Sequence, residues 1–127
     1  MNMHNGKKIL IVDDDFDSID TLQMILENSG YIVLIALNGA SGIQMAHEHK
    51  PDIIILDVMM PDMNGYQVCE KLKSDADTQY IPVIMLTGRD KGEDVTTALD
   101  KQADWLVTKP YDVRYLMSKV ASFLGAH

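Results

Sequence analysis

Asp52-Ile53-Ile54-Ile55-Leu56-Asp57 sets four consecutive apolar residues, mostly β-branched, between two acids. An unbroken run of this length suits a strand buried on both faces, because a strand with one wet face alternates polar and apolar positions. Ile9–Val12 and Val83–Leu86 have the same character, and weaker runs lie at Tyr31–Leu37 and Leu106–Val107. Between the runs the spacing changes to that of helices. Ile19, Leu22, Ile25 and Leu26 share one face before Gly30, a C-terminal cap. Ala40, Ile43, Met45 and Ala46 precede Lys50-Pro51, which ends a helix. Val68 and Leu72 mark a third helix, Val95, Ala98 and Leu99 a fourth, and Val113, Leu116, Val120, Phe123 and Leu124 a fifth.

Five strand–helix pairs follow one another without a repeat, a low-complexity tract or a linker. Strict alternation implies an α/β fold, a parallel sheet covered on both faces and joined by right-handed crossovers. Five units are too few for an eight-fold barrel, which leaves an open, doubly wound sheet. Ligands of such sheets sit beyond the C-terminal ends of the strands, where the strand order reverses.

The residues at those ends form a short set. Asp13-Asp14-Asp15 follows the first strand, Asp57 the third, Thr87-Gly88 the fourth and Lys109-Pro110 the fifth. Asn38-Gly39 follows the second and reads as a turn. Taken singly, each has a bland reading: Asp15 as a helix cap, Thr87 as another, Lys109-Pro110 as a solvated loop. Together they bring carboxylates, a hydroxyl and an ammonium to one crevice. Crowded carboxylates raise one another's pKa, and a hard cation such as magnesium, which prefers oxygen ligands, relieves the crowding. Lysine and threonine suit phosphate oxygens, and aspartate is a known phosphoryl nucleophile. The conjunction points to phosphoryl transfer, which needs mainly positioning and charge neutralisation.

Composition excludes several other classes. The 127 residues suffice for one self-supporting domain. A formal charge of −8 argues against non-specific nucleic-acid binding and against adhesion to an anionic membrane. No apolar run approaches a membrane span, the first six residues lack a signal-peptide core, and the lone Cys69 cannot form an internal disulfide. A cytoplasmic location is expected. His47 and His49 do not share a helix face, His4 and His127 lie near the ends, and all four read as solvated. The nine methionines read as core fillers, although Met59, Met60 and Met63 cluster in one loop.

Five motifs in order carry a family resemblance: Ile9-Leu10-Ile11-Val12-Asp13-Asp14, Asp52 to Asp57, Met60-Pro61-Asp62-Met63-Asn64-Gly65, Pro82-Val83-Ile84-Met85-Leu86-Thr87 and Lys109-Pro110. Over residues 7–124 the chain resembles the receiver domain of two-component response regulators, of the single-domain, chemotaxis-regulator-like kind. The resemblance implies a flavodoxin-like sheet in the order 2-1-3-4-5 with five helices. It implies that Asp57 is the phosphoacceptor and that Asp14, Asp57 and the backbone carbonyl of Met59 ligate Mg2+, with Asp13 acting through metal-bound water. Lys109 would pair with the phosphoryl group and Thr87 would bond to it on activation. A cis peptide before Pro110 is common in the family. The implied donor is a histidine kinase or a histidine phosphotransfer domain. The implied output is a changed protein-interaction surface at the fourth helix, fifth strand and fifth helix, roughly Lys91–Asp100 and Trp105–Phe123, with a phosphorylation-dependent homodimer as one form. Beyond its own phosphorylation and dephosphorylation, no separate enzymatic substrate is expected.

Two positions depart from the family pattern. Leu106 stands where an aromatic switch residue is usual, and Gln102 where glycine is common. Trp105 points away from Leu106 in a strand and suits a surface patch. Met59 and Arg89, each two residues beyond Asp57 or Thr87, flank the expected phosphate. The alternatives are a scaffold receiver that works without phosphorylation, a Mg-dependent aspartyl phosphohydrolase, and a flavin- or nucleotide-binding module. The phosphohydrolase would need a second acid where Met59 stands, and the nucleotide module a Gly- and Ser-rich loop where the aspartates stand.

Overall fold

The computed structural model describes residues 6–58, 60, 62–88 and 103–125. Five strands, β1 (Lys8–Val12), β2 (Ile32–Ala36), β3 (Ile53–Asp57), β4 (Val83–Gly88) and β5 (Trp105–Lys109), form one sheet in the order β2-β1-β3-β4-β5. Every neighbouring pair is parallel. Among the described residues there are four helices: α1 (Phe16–Asn28), α2 (Gly39–His49), α3 (Gly65–Lys73) and α4 (Val113–Leu124). The helix expected around Val95–Leu99 lies outside the described residues, as does Gln102.

Burial explains the difference between strong and weak apolar runs. Every residue of β3 is buried, and β1 is nearly so, because both are interior strands with helices on each face. The edge strands β2 and β5 keep exposed or half-exposed positions; β5 carries polar residues there, Thr108 and Lys109, whereas β2 stays apolar. Alternate residues of one strand feed opposite cores. Leu10, Val12, Ile54, Leu56, Val83 and Met85 pack toward α2 and α3. Ile9, Ile11, Ile53, Ile55, Ile84 and Leu86 pack toward α1 and α4. Cys69 is fully buried in the first core, and burial pushes its thiol up to about 11.

Helix starts follow from short polar side chains. Asp15 caps α1 by accepting from the Asp17 N–H, and Asp112 caps α4 by accepting from the Arg114 N–H. Asn38, expected to be part of a turn, is the N-cap of α2 and accepts from the Ser41 N–H. Asn64 and Gln67 form a reciprocal capping box on α3. At the other ends, Gly30 follows α1 with a φ of +96°, and Lys50 closes α2 in the left-handed region at +47°.

Candidate functional site

Register brings the strand ends together. Val12 pairs with Leu56, Asp57 with Leu86, Thr87 with Thr108 and Gly88 with Lys109. Asp13, one residue past β1, therefore lies beside Asp57 at the middle of the sheet's C-terminal edge. There the chain leaves β1 and β3 toward opposite faces, the switch point at which open sheets hold ligands.

One carboxylate oxygen from each of Asp13, Asp14 and Asp57 lies within 4.8 Å of the other two. Asp13 and Asp57 are buried, while Asp14 is exposed at the rim. Lys109 reaches over from β5 and donates to Asp57 Oδ1 at 2.9 Å. The Lys109–Pro110 peptide is cis. Asp13 Oδ1 accepts from the Asp15 N–H at 3.0 Å, which orients it at the start of α1. Thr87 is buried at the end of β4.

The electrostatics of this group are poorly balanced. Burial raises the Asp13 carboxyl above the ordinary carboxylate range, the negative charges of Asp57 and Asp14 add to that, and the Asp15 N–H only partly offsets it. Burial likewise raises Asp57, and this outweighs the hydrogen bond and charge of Lys109 that pull it down. For Lys109, burial works against the charge, but Asp57 and Asp13 together overcome it and hold the ammonium above its usual value. Burial also raises the Tyr111 phenol, whose charge interactions are with Lys109 and Asp13. Among the described residues, one ammonium faces three acids, which leaves a surplus of negative charge. Three clustered carboxylate donors with a deficit of positive charge fit a hard, oxygen-preferring divalent cation.

The structure thus brings together Asp13, Asp14, Asp57 and Lys109, with Thr87 one residue before Gly88, the strand partner of Lys109. Met59 and Arg89 lie outside the described residues. Leu106 packs against the core shared with α2 and α3, while Trp105, on the other face, is partly exposed and donates through Nε1 to the Tyr115 hydroxyl at 3.0 Å. His47, expected to be solvated, is half-buried with Nε2 3.3 Å from Asp75 Oδ2.

Three contributors were not assigned roles from the sequence. Asp62 accepts from the Gly39 and Ala40 N–H groups at the start of α2, at 3.0 and 3.1 Å. Gly65 lets α3 begin directly against β3: a Cβ there would lie 2.6 Å from the Asp57 carbonyl oxygen and 2.8 Å from Val58 Cα. Tyr111 packs against the core shared with α1 and α4, near enough to Lys109 and Asp13 for their charges to act on its phenol. Gly65 was visible within the Met60–Gly65 motif, but its close approach to β3 is a tertiary fact.

Comparison with known proteins agrees with this geometry. Residues 9–121 match the family model for the response regulator receiver domain. Protein PilH of Pseudomonas aeruginosa is 38% identical over 93% of this chain and 98% of its own length. The alkaline phosphatase synthesis transcriptional regulatory protein PhoP of Bacillus subtilis is 39% identical over 94% of this chain but 49% of its own length. The chain spans about half the length of the curated relatives matched first. Among solved structures, the signal receiver domain of a signal transduction histidine kinase from Syntrophus aciditrophicus superimposes with a TM-score of 0.89. It is 38% identical, with 94% of this chain and 91% of that one covered. The chain belongs to the response regulator receiver domain family.

Proposed function

We propose that this receiver domain takes a phosphoryl group onto Asp57 in a Mg2+-dependent reaction and relays the change through a protein-binding surface. The observation that carries this reading is the buried Asp57, hydrogen-bonded to Lys109 and flanked by the carboxylates of Asp13 and Asp14. Asp14 and Asp57 are the proposed direct ligands, with the Met59 carbonyl completing the protein's share and Asp13 acting through water. Bound there, Mg2+ would neutralise phosphoryl oxygens and the surplus acid charge.

The donor is a phosphohistidine on a histidine kinase or a phosphotransfer domain. A carboxylate oxygen of Asp57 attacks phosphorus in line, the O–P bond forms, and the P–N bond breaks. The electron pair leaves with the imidazole nitrogen, which takes up a proton. Lys109 then exchanges its Asp57 partner for a phosphoryl oxygen, and Thr87 donates its hydroxyl to another. The acyl phosphate carries roughly −1.5 to −2 charge where the carboxylate carried −1, and this change biases a two-state equilibrium at the surface formed with β5 and α4. No separate substrate is turned over, and the buried lone thiol and charged surface suit a cytoplasmic signalling partner. Among the described residues no helix is long and apolar enough to cross a membrane.

Intact mass after incubation with acetyl phosphate tests the reading. Wild type should gain one phosphoryl group only with Mg2+, and Asp57→Asn should gain none. Equal gain by the variant would remove Asp57 as acceptor, and gain without the metal would remove the cation from the mechanism.

A further inference from the structure

The geometry points to Asp62 as a positioning residue that ties the loop after Asp57 to the start of α2 and so holds the acidic pocket in its cation-binding shape. The inference rests on the Mg2+ reading above and names a device within the same site that none of the motif readings assigned.

Each oxygen of Asp62 accepts one backbone N–H: Gly39 to Oδ1 at 3.0 Å and Ala40 to Oδ2 at 3.1 Å. These are first-turn donors of α2 and have no partner within the helix. Asn38 serves a third, the Ser41 N–H at 2.9 Å. The two bonds from Asp62 span 23 and 22 residues of chain, so they join two separate segments and do more than cap a helix locally. A carboxylate is also the favoured charge at a helix N-terminus. In agreement, these N–H groups hold the Asp62 carboxyl below the usual carboxylate range.

The next residue strengthens the tie. Met63 lies so close over Gly39 that a Cβ there would come 2.9 Å from Met63 Cγ and 2.9 Å from Val68 Cγ2. Glycine at position 39 therefore lets α2 seat directly under the loop. The loop's ends are fixed elsewhere. Val58 donates its N–H to Leu86 O at 3.0 Å, and Gly65 donates to Val58 O at 2.8 Å. Asp57 is the last residue of β3, immediately before this pinned segment. Asp62 thus anchors a segment that begins directly after Asp57, and the family resemblance puts a ligating carbonyl in that same segment.

A Mg2+ titration of the full chain, followed by backbone amide NMR shifts, tests this, because the spectrum also reports whether each variant is folded. Asp62→Ala should bind Mg2+ about tenfold more weakly than wild type, the lower end of what loss of an outer-shell partner costs. Asp62→Asn, which keeps one acceptor in place, should fall between the two. Asp52→Ala removes a backbone-accepting carboxylate at the far end of the sheet, and its affinity should stay within about twofold of wild type. Equal affinity in Asp62→Ala and wild type would overturn the inference while leaving the cation reading intact. Equal weakening in Asp52→Ala would overturn it too, since general destabilisation would then account for the loss. No Mg2+ binding by wild type would overturn both readings together.

Discussion

The two ends of the sheet carry similar charges and treat them in opposite ways. At the N-terminal ends, Asp52 and Asp104 each stand one residue before a strand, and each closes a ring with the first residue of the neighbouring strand. Asp52 donates its N–H to Lys8 O and accepts the Lys8 N–H on Oδ2, at 2.8 and 2.7 Å. Asp104 does the same with Val83, at 2.9 and 2.7 Å, and also accepts from Lys73 Nζ at 2.8 Å. At the C-terminal ends, Asp13 and Asp57 are buried beside Asp14, and burial raises both carboxyls. An acid that meets donors stabilises the fold; an acid that meets other acids waits for a cation or a proton. Acid content alone therefore says little about function, and the balance of donors says most.

The sharpest way to break this comparison is at Asp104. Asp104→Ala leaves the first N–H of β4 without its side-chain acceptor. It also removes the acid partner of Lys73, whose side chain is only 9% exposed. The expected loss is about 2 kcal/mol in denaturant unfolding, between the values for exposed and buried pairs, because Lys73 is buried while Asp104 is 35% exposed. The remaining Lys73 bond to the Ile81 carbonyl, at 2.7 Å, keeps the loss from being larger. A loss below about 0.5 kcal/mol, the range of ordinary surface changes, would mean that this end is not held by its acids.

The opposite sign is expected at the other end. Asp13→Asn keeps an oxygen that can accept the Asp15 N–H but removes one buried charge, so it should stabilise the Mg2+-free protein by about 1 kcal/mol at neutral pH. The pH dependence follows from linkage. The folded pKa of Asp13 lies above its unfolded value, so the native state holds more protons between the two, and stability falls as pH rises through that window. Above the folded value the penalty is fully present; below the unfolded value it is gone. The gap between variant and wild type should therefore widen as pH rises through the window and then stay constant. Saturating Mg2+ should shrink it, because the cation compensates the wild-type charge. Thermal melts of both proteins across pH, with and without Mg2+, give the answer, and a destabilised Asp13→Asn at neutral pH would contradict the account.

How much of this was open to reading along the chain depends on distance in sequence. The central strands were legible from Ile53–Leu56 and Ile9–Val12, because burial on both faces forces unbroken apolar runs. The edge strand β5 was fainter, since its exposed positions relax that demand and admit Thr108 and Lys109. Asp15 could be read as a cap because its partner is Asp17, two residues on. Asp13, Asp14, Asp57 and Lys109 could be gathered because parallel topology brings successive strand ends to one edge. Asp62 could not be given its role that way, since its partners lie more than twenty residues back, and neither could the rings at Asp52 and Asp104. Asn38-Gly39 was read as a turn for the same reason: what makes it a helix start is partly the carboxylate of Asp62.

The smallest expected effect lies where β5 begins, next to Asp104. Lys119 Nζ from α4 sits 4.1 Å from the centre of the Trp105 ring, and the indole N–H donates to Tyr115 on the same helix. Trp105 is 39% exposed, so the contact lies at the surface and should contribute only about 0.5 kcal/mol. Lys119→Ala should therefore lower the melting midpoint by a few degrees at most and alter Trp105 fluorescence, since the indole is the chain's one tryptophan and loses a neighbouring charge. Because Trp105 is at the N-terminal end of β5 and Lys109 at the other, Mg2+ affinity should not move. A clear change in Mg2+ affinity with an unchanged midpoint would mean that β5 transmits between the two ends, and the division drawn here between a satisfied end and a waiting one would have to give way to a coupled pair.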